Sequence, residues 1–266
     1  MKGHIPKKRF GQNFLIDNYI INRIIEIIAP KTDDFILEIG PGLGALTQPL
    51  LAYVPHLHVV EIDRDIIAYL EKTFIDKLTI HGVDALKFDF ATLIPGKEQS
   101  STTSVLAKNN KIRIIGNLPY NISTPLLFHL AQYKNILDMH FMLQKEVVNR
   151  ICAKPDNGDY GRLSVMLQYQ FVCNKMLDVS STAFDPRPKV ESAIVKLMPK
   201  PSNQTINIDE KRLNTIVTAA FSQRRKTITN SLKNVINLEI LEKLGIDRKK
   251  RAENLTVAEY ILLSQQ

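Results

Sequence analysis

Phe35-Ile36-Leu37-Glu38-Ile39-Gly40-Pro41-Gly42-Leu43-Gly44 is a short apolar run closed by three glycines, and a helical pattern follows over Leu46–Ala52. Such a run, bounded by glycine, reads as a buried strand. The glycines behind it let backbone approach a ligand at the strand's carboxyl end. Their spacing is G-x-G-x-G. The dinucleotide fingerprint would place its third glycine where Ala45 stands, and no lysine follows as in a phosphate-binding P-loop.

Outward from this stretch, strand and helix patterns alternate. Further strands are expected at Leu57–Glu61, Leu78–His81, Lys111–Gly116 and Ile136–Leu143. Helical patterns lie between them at Ile66–Phe74 and Thr124–Gln132, and an amphipathic helix at Asn18–Ile28 precedes the first strand. The alternation predicts an α/β fold: a Rossmann-like, parallel sheet with helices on both faces. Pro199-Lys200-Pro201-Ser202-Asn203 marks a linker, after which only helical patterns remain: Asp209–Phe221, Thr227–Asn237, Glu239–Leu244 and Val257–Leu263. The expected organisation is a sheet domain over 1–200 and a small all-helical domain over 206–266. The polar, Ser/Thr-rich stretch Lys97–Asn110 reads as a surface insertion.

Composition excludes several classes. Of 266 residues, 44% are hydrophobic and 23% charged, a globular balance. Two cysteines, Cys152 and Cys173, stand far apart in no metal-ligand spacing, so neither a disulfide framework nor a cysteine-rich zinc site is expected, and no metal is predicted. The chain holds no apolar run of membrane-spanning length and no secretory leader pattern, so a soluble, cytoplasmic protein with no membrane contact is expected. The net charge of +8 is uneven: residues 186–266 hold 15 Lys+Arg against 8 Asp+Glu, whereas residues 1–185 hold 20 against 19. Basic flanks suit a polyanionic partner.

Three features read together as an adenosine pocket. Gly40 and Gly42 shape the loop. Glu61 ends the second strand about 20 residues later, where a carboxylate accepts from ribose hydroxyls. Asp84 follows the third strand, where it would accept from an adenine amino group, or otherwise cap a helix. Adenosine without pyrophosphate fits S-adenosyl-L-methionine better than NAD. Asn117-Leu118-Pro119-Tyr120 then follows the fourth strand. The Asn117 side-chain oxygen and the Leu118 carbonyl can accept from an exocyclic amine. That orients its nitrogen and favours a more tetrahedral, cationic transition state for methyl transfer. Pro119 fixes the backbone, and Tyr120 offers a ring to a flipped base. No general base is needed, since the product ammonium can lose its proton to solvent.

Asn-Leu-Pro-Tyr behind an E-x-G-x-G-x-G loop resembles the rRNA adenine N6-dimethyltransferases. Gly11-Gln12-Asn13-Phe14-Leu15 is similar to that family's N-terminal signature, and Phe184-Asp185-Pro186-Arg187-Pro188-Lys189-Val190-Glu191-Ser192-Ala193 to a second one. Phe221–Thr227 and Arg251–Leu255 resemble its KsgA/RsmA branch, which acts on the small ribosomal subunit. The resemblance implies that Asn13 and Leu15 help close over the cofactor. It implies that Phe184 stacks on the target adenine opposite Tyr120. The substrate implied is a pair of adjacent adenosines in the 3′-terminal hairpin loop of 16S rRNA, both converted to N6,N6-dimethyladenosine. Candidate phosphate contacts are Arg224, Arg225, Lys226, Arg187 and Lys189, with Lys7, Lys8, Arg9 and Arg248–Arg251 beside them. Two alternatives stay open: a resistance-type dimethyltransferase of large-subunit rRNA, and a mainly non-catalytic assembly factor of the small subunit. Nothing in the sequence demands a dimer, so a monomer is expected.

Overall fold

The computed structural model describes residues 7, 11–93, 111–201 and 208–266. The insertion read at 97–110, and the basic residues Lys8 and Arg9, lie outside the described residues. Among these residues the chain runs β1 (Phe14–Leu15), α1 (Asn18–Ile28), β2 (Phe35–Ile39), α2 (Thr47–Leu50), β3 (Leu57–Val60), α3 (Arg64–Thr73) and β4 (Leu78–His81). It continues with β5 (Ile112–Asn117), α4 (Ser123–Leu130), β6 (Ile136–Gln144), α5 (Lys145–Cys152), α6 (Arg162–Gln168), β7 (Phe171–Val179), β8 (Phe184–Asp185) and β9 (Ser192–Pro199). Four helices close it: α7 (Glu210–Ser222), α8 (Ile228–Leu232), α9 (Glu239–Lys243) and α10 (Val257–Ser264).

Seven strands form one sheet in the order β4-β3-β2-β5-β6-β9-β7. The five strands read from the sequence pair in parallel, but β9 joins β6 antiparallel, so the sheet is mixed and not wholly parallel as expected. Strands β7 and β9 escaped the sequence reading; β7 is interrupted by Asn174-Lys175 and Asp178 and is largely exposed, so it lacks the continuous apolar run of its neighbours. Strands β2, β3 and β5 are buried along nearly their whole length, as strands covered on both faces must be. α1 contributes Ile21, Ile24, Ile25 and Ile28 to an apolar cluster, with Ile36, Leu57, Ile115 and Met142 from the sheet. It starts where the Asp17 side chain accepts from Tyr19 N and Ile20 N, and stops at Ala29 in the left-handed region.

Register sets the carboxyl ends level. Ile39 lies opposite both Val60 and Gly116, Val60 opposite His81, and Asn117 opposite Met142. The residues that follow, Gly40, Glu61, Asp84 and Asn117, therefore emerge along one edge. The order reverses at β2, with β3 on one side and β5 on the other, and such a switch point opens a crevice for ligands. At the amino ends a buried ion network holds the same strands. Arg113 binds Asp138 through Nε and Nη2, both at 2.9 Å, reaches Asp34 at 2.6 Å and donates to the Ile28 carbonyl at 2.6 Å. A pair so desolvated needs this full set of partners.

The chain divides into two units. One holds residues up to Lys145 with Lys175–Met198; the other holds Glu146–Asn174 with Pro199–Gln266. Residues 146–174, placed in the sheet domain by the sequence, thus group with the C-terminal helices. Side chains explain why. The buried Tyr160 meets Phe221 edge to face at 6.1 Å, and Phe221 meets Tyr260 at 6.0 Å. Asp156 N donates to the Glu253 carbonyl, and Asn254 Nδ2 to Asp156 Oδ1 at 2.6 Å. In the C-terminal part α8 is shorter than the Thr227–Asn237 pattern and gives way to turns.

Candidate active site

A cleft of about 860 Å³ opens at the carboxyl edge of the sheet in the first unit. Asn13, Leu15, Gly40, Gly42, Glu61, Asp84, Asn117, Leu118, Pro119 and Tyr120 all line it. Phe184 does not. Its ring is 4% exposed and belongs to the apolar cluster that includes Leu15, Met142 and Ile194. Strand pairing explains this placement: Leu15 lies opposite Phe184 and Phe14 opposite Asp185 in a separate two-stranded ladder of β1 and β8.

Gly40 has φ +67°, and a side chain there would point within 3.7 Å of the Asn117 carbonyl, so the loop and the Asn117 turn approach closely. Glu61 is buried. Its Oε1 accepts from Ile62 N at 2.8 Å and Asp63 N at 2.9 Å. Burial raises its pKa, against which these N–H groups and that of Gly42 hold the charge. A carboxylate has about four acceptor positions, so Glu61 keeps capacity toward the cleft. Asp84 Oδ1 accepts from Leu86 N at 3.0 Å in a local turn, which orients the carboxylate while its side chain lines the cleft. Glu38, beneath the loop, is pushed up to about 7 by burial, opposed by the Thr47 hydroxyl at 2.6 Å and assisted by nearby Glu61.

Asn117 Nδ2 donates to the Asn13 carbonyl at 3.0 Å. The Tyr120 hydroxyl meets Ser192 Oγ at 3.0 Å, and burial raises its pKa. Sequence reasoning missed Ser192, although it stands in the quoted second signature. It also missed Asp63, whose carboxylate gathers Lys7 Nζ at 2.6 Å and Gln12 Nε2 at 3.0 Å. The signal was there: an aspartate two residues after Glu61, opening a helix. Gly116 was read only as the end of a strand, yet it faces Ile39.

Of the basic candidates, Lys7 is paired with Asp63 and Asp65, both at 2.6 Å. Arg187 is exposed and donates to Ser181 Oγ at 2.9 Å; Lys189 is exposed. In the second unit Arg224 pairs with Glu253 at 2.8 Å and donates to the Gly158 carbonyl at 2.5 Å. Arg225 and Lys226 are exposed and form no ion pair among the described residues. Among the described residues no cluster of His, Cys, Asp and Glu could hold a metal ion, and no helix is long and apolar enough to cross a membrane.

The fold compares with solved structures of known activity. A dimethyladenosine transferase from Plasmodium falciparum matches with a TM-score of 0.79 at 27% identity, over 94% of this chain and 95% of that one. The 23S rRNA methyltransferase ErmE shares the fold, with a TM-score of 0.69 at 24% identity over 95% and 98%. Sheet order, glycine loop and edge cleft together define a methyltransferase that uses S-adenosyl-L-methionine. The profile of the ribosomal RNA adenine dimethylase family matches residues 3–266, and the chain belongs to that family of S-adenosyl-L-methionine-dependent rRNA adenine dimethyltransferases. It is 50% identical to a ribosomal RNA small subunit methyltransferase A of Dechloromonas aromatica (strain RCB), over 99% of this chain and 98% of the relative. A protein of the same name from Thiobacillus denitrificans is 53% identical over 97% and 96%.

Proposed function

We propose that this enzyme methylates N6 of two adjacent adenosines in the 3′-terminal hairpin loop of 16S rRNA, giving N6,N6-dimethyladenosine in the small ribosomal subunit and serving its biogenesis. The observation that carries the reading is the meeting of Asn117–Tyr120 with Glu61 and Asp84 in one cleft. The small-subunit assignment is supported by the names of relatives half identical over nearly the whole chain.

The residues fit the cofactor. Glu61 would take ribose hydroxyls, Asp84 the adenine amino group, and the Gly40–Gly42 backbone the amino-acid end. When bound, S-adenosyl-L-methionine supplies a methyl group on a sulfonium, an electrophile that needs no acid. Asn117 is held by the Asn13 carbonyl at its Nδ2, so its Oδ1 is left to accept from the target amine. With the Leu118 carbonyl it would turn the nitrogen lone pair toward the methyl and stabilise positive charge as it develops. Tyr120, tethered through Ser192, would stack on the flipped base. Phe184 pairs with Leu15 and packs in the same apolar cluster, so stacking on the target adenine would require the ring to leave that core. Arg187, Lys189, Arg225 and Lys226 would meet RNA phosphates, with Arg224 exchanging its Glu253 partner. The enzyme acts as a cytoplasmic monomer on the subunit.

The test uses labelled S-adenosyl-L-methionine with small subunits and with large-subunit rRNA, both from a strain lacking these methylations, followed by nuclease mapping. Label at two neighbouring adenosines of small-subunit rRNA is the expected result. Label confined to large-subunit rRNA would make this a resistance-type enzyme. Subunit binding without any label would leave only an assembly role.

A further inference from the structure

A path of hydrogen bonds, completed by the Gln12–Asn13 peptide, runs from the cofactor turn to Asn117. The Asp63 side chain is fully buried. It accepts from Gln12 Nε2 at 3.0 Å, from Lys7 Nζ at 2.6 Å and from Asp65 N at 3.1 Å. Its own N–H donates to Glu61 Oε1 at 2.9 Å, so the anchor is part of the turn that presents the ribose carboxylate. Gln12 is engaged at both ends of its amide: Nε2 on Asp63, and Oε1 accepting from Lys7 N at 2.7 Å. The next residue, Asn13, presents its carbonyl to Asn117 Nδ2 at 3.0 Å.

The last contact has a directional consequence. A carbonyl only accepts, so the Asn117 amide must turn its NH2 toward Asn13 and its oxygen away. The two ends of an amide have nearly the same shape, and nothing else named at Asn117 distinguishes them. A flipped Asn117 would face the target amine donor to donor. Whatever fixes the Asn13 carbonyl therefore fixes which end of Asn117 the substrate meets.

We propose that Gln12 is a positioning residue for methyl transfer: anchored on Asp63, it fixes the Asn13 carbonyl that holds Asn117 with its oxygen free for the accepting amine. The proposal rests on the reading of Asn117 as the amine acceptor. Gln12 lines the cleft, but both ends of its amide are engaged by Lys7 and Asp63, and in this scheme it acts only through its neighbour.

The test compares Gln12→Leu, Gln12→Glu and the swap Gln12→Glu with Asp63→Asn in the full chain. The swap reverses donor and acceptor, and asparagine still caps α3. Single-turnover methylation of unmethylated small subunits is measured at saturating cofactor, alongside calorimetric affinity for S-adenosylhomocysteine. Gln12→Leu should slow transfer about 10–100-fold, with cofactor affinity within about threefold. Gln12→Glu should slow it at least as much, since two carboxylates then face each other, and the swap should return the rate to within about threefold of wild type. In an Asn117→Ala background Gln12→Leu should add little, because the group it positions is gone. Fully additive losses would overturn the proposal, as would a parallel fall in cofactor affinity or a swap that fails to rescue. Undiminished transfer by Asn117→Ala alone would instead overturn the amine-acceptor reading, and the positioning role with it.

Discussion

Replacing Gly116 with alanine would place a methyl group between the two strands that carry the site. Gly116 lies opposite Ile39 in the β2–β5 pair. A Cβ built on it falls 2.5 Å from the Ile39 carbonyl oxygen and 3.0 Å from Leu118 Cδ2. Ordinary carbon–oxygen contact begins near ~3.3 Å, and the obstructing atom is backbone, so the strands must part by about 0.8 Å. Overpacking of this kind costs about 1–3 kcal/mol, which for a chain of this size lowers Tm by roughly 2–4 °C per kcal/mol. The functional loss should be larger. Gly40 and Asn117 are the next residues on the two strands, so the displacement separates the cofactor loop from the amine acceptor. A misplacement near 1 Å costs on the order of 10²-fold in rate. Single-turnover methylation of unmethylated subunits, cofactor calorimetry and a thermal melt would be measured on Gly116→Ala. Gly158→Ala is the control, since a Cβ there meets nothing within 4 Å. A Gly116→Ala enzyme with the rate and melting temperature of wild type would refute the claim that strand spacing at the switch point sets the site.

Three further outcomes follow from other parts of the structure. His140 is 2% exposed with neither ring nitrogen hydrogen-bonded, and its pKa is pushed down to about 4 by burial, against the pull of Asp138 and with the push of Arg113 and Lys196. Between that value and 6.5 the unfolded chain binds a proton that the folded chain refuses, so stability falls as pH drops through this range. His140→Leu should therefore gain about 2 kcal/mol more at pH 5 than at pH 8 in urea unfolding; equal gains at both would contradict the burial argument. Phe184→Ala should cost about 3–5 kcal/mol and lower Tm accordingly. A variant that melts like wild type yet methylates slowly would show that the ring works at the base and not in the core. Reversing Arg225 and Lys226 to glutamate should weaken small-subunit binding and flatten its salt dependence; binding unchanged across a salt titration would remove them from the interface.

Much of the sheet was legible because its strands are continuous apolar runs closed by glycine or by the site residues themselves. Leu57–Val60 and Ile112–Asn117 announce burial on both faces. β7 does not: Asn174, Lys175 and Met176 are exposed, and a half-exposed strand imitates a loop. The grouping of 146–174 with the C-terminal helices was hidden because it depends on Tyr160 finding Phe221, a contact 61 residues apart in sequence. At the site, ten quoted residues line one cleft since each follows a strand whose register is set by its neighbours, or belongs to the segment fastened above them. The environment of Phe184 and the direction of the Asn117 amide were not legible. Both are fixed by partners distant in sequence, Leu15 for one and Asn13 for the other.

The two-residue ladder of β1 and β8 bears on the timing of successive turnovers. Adding two methyl groups to one nitrogen consumes two cofactor molecules, so the demethylated product must leave between transfers. Residues Gly11–Leu15 line the cleft and are fastened by this ladder, by the Gln12–Asp63 bond, by the Asn13 carbonyl accepting from Asn117 and by burial of Leu15. Each such hydrogen bond contributes about 0.5–1.5 kcal/mol net, and none is a ladder bond of the seven-stranded sheet. Each exchange therefore takes place in a cleft one wall of which is held outside the seven-stranded sheet, by contacts that can be altered without touching that frame.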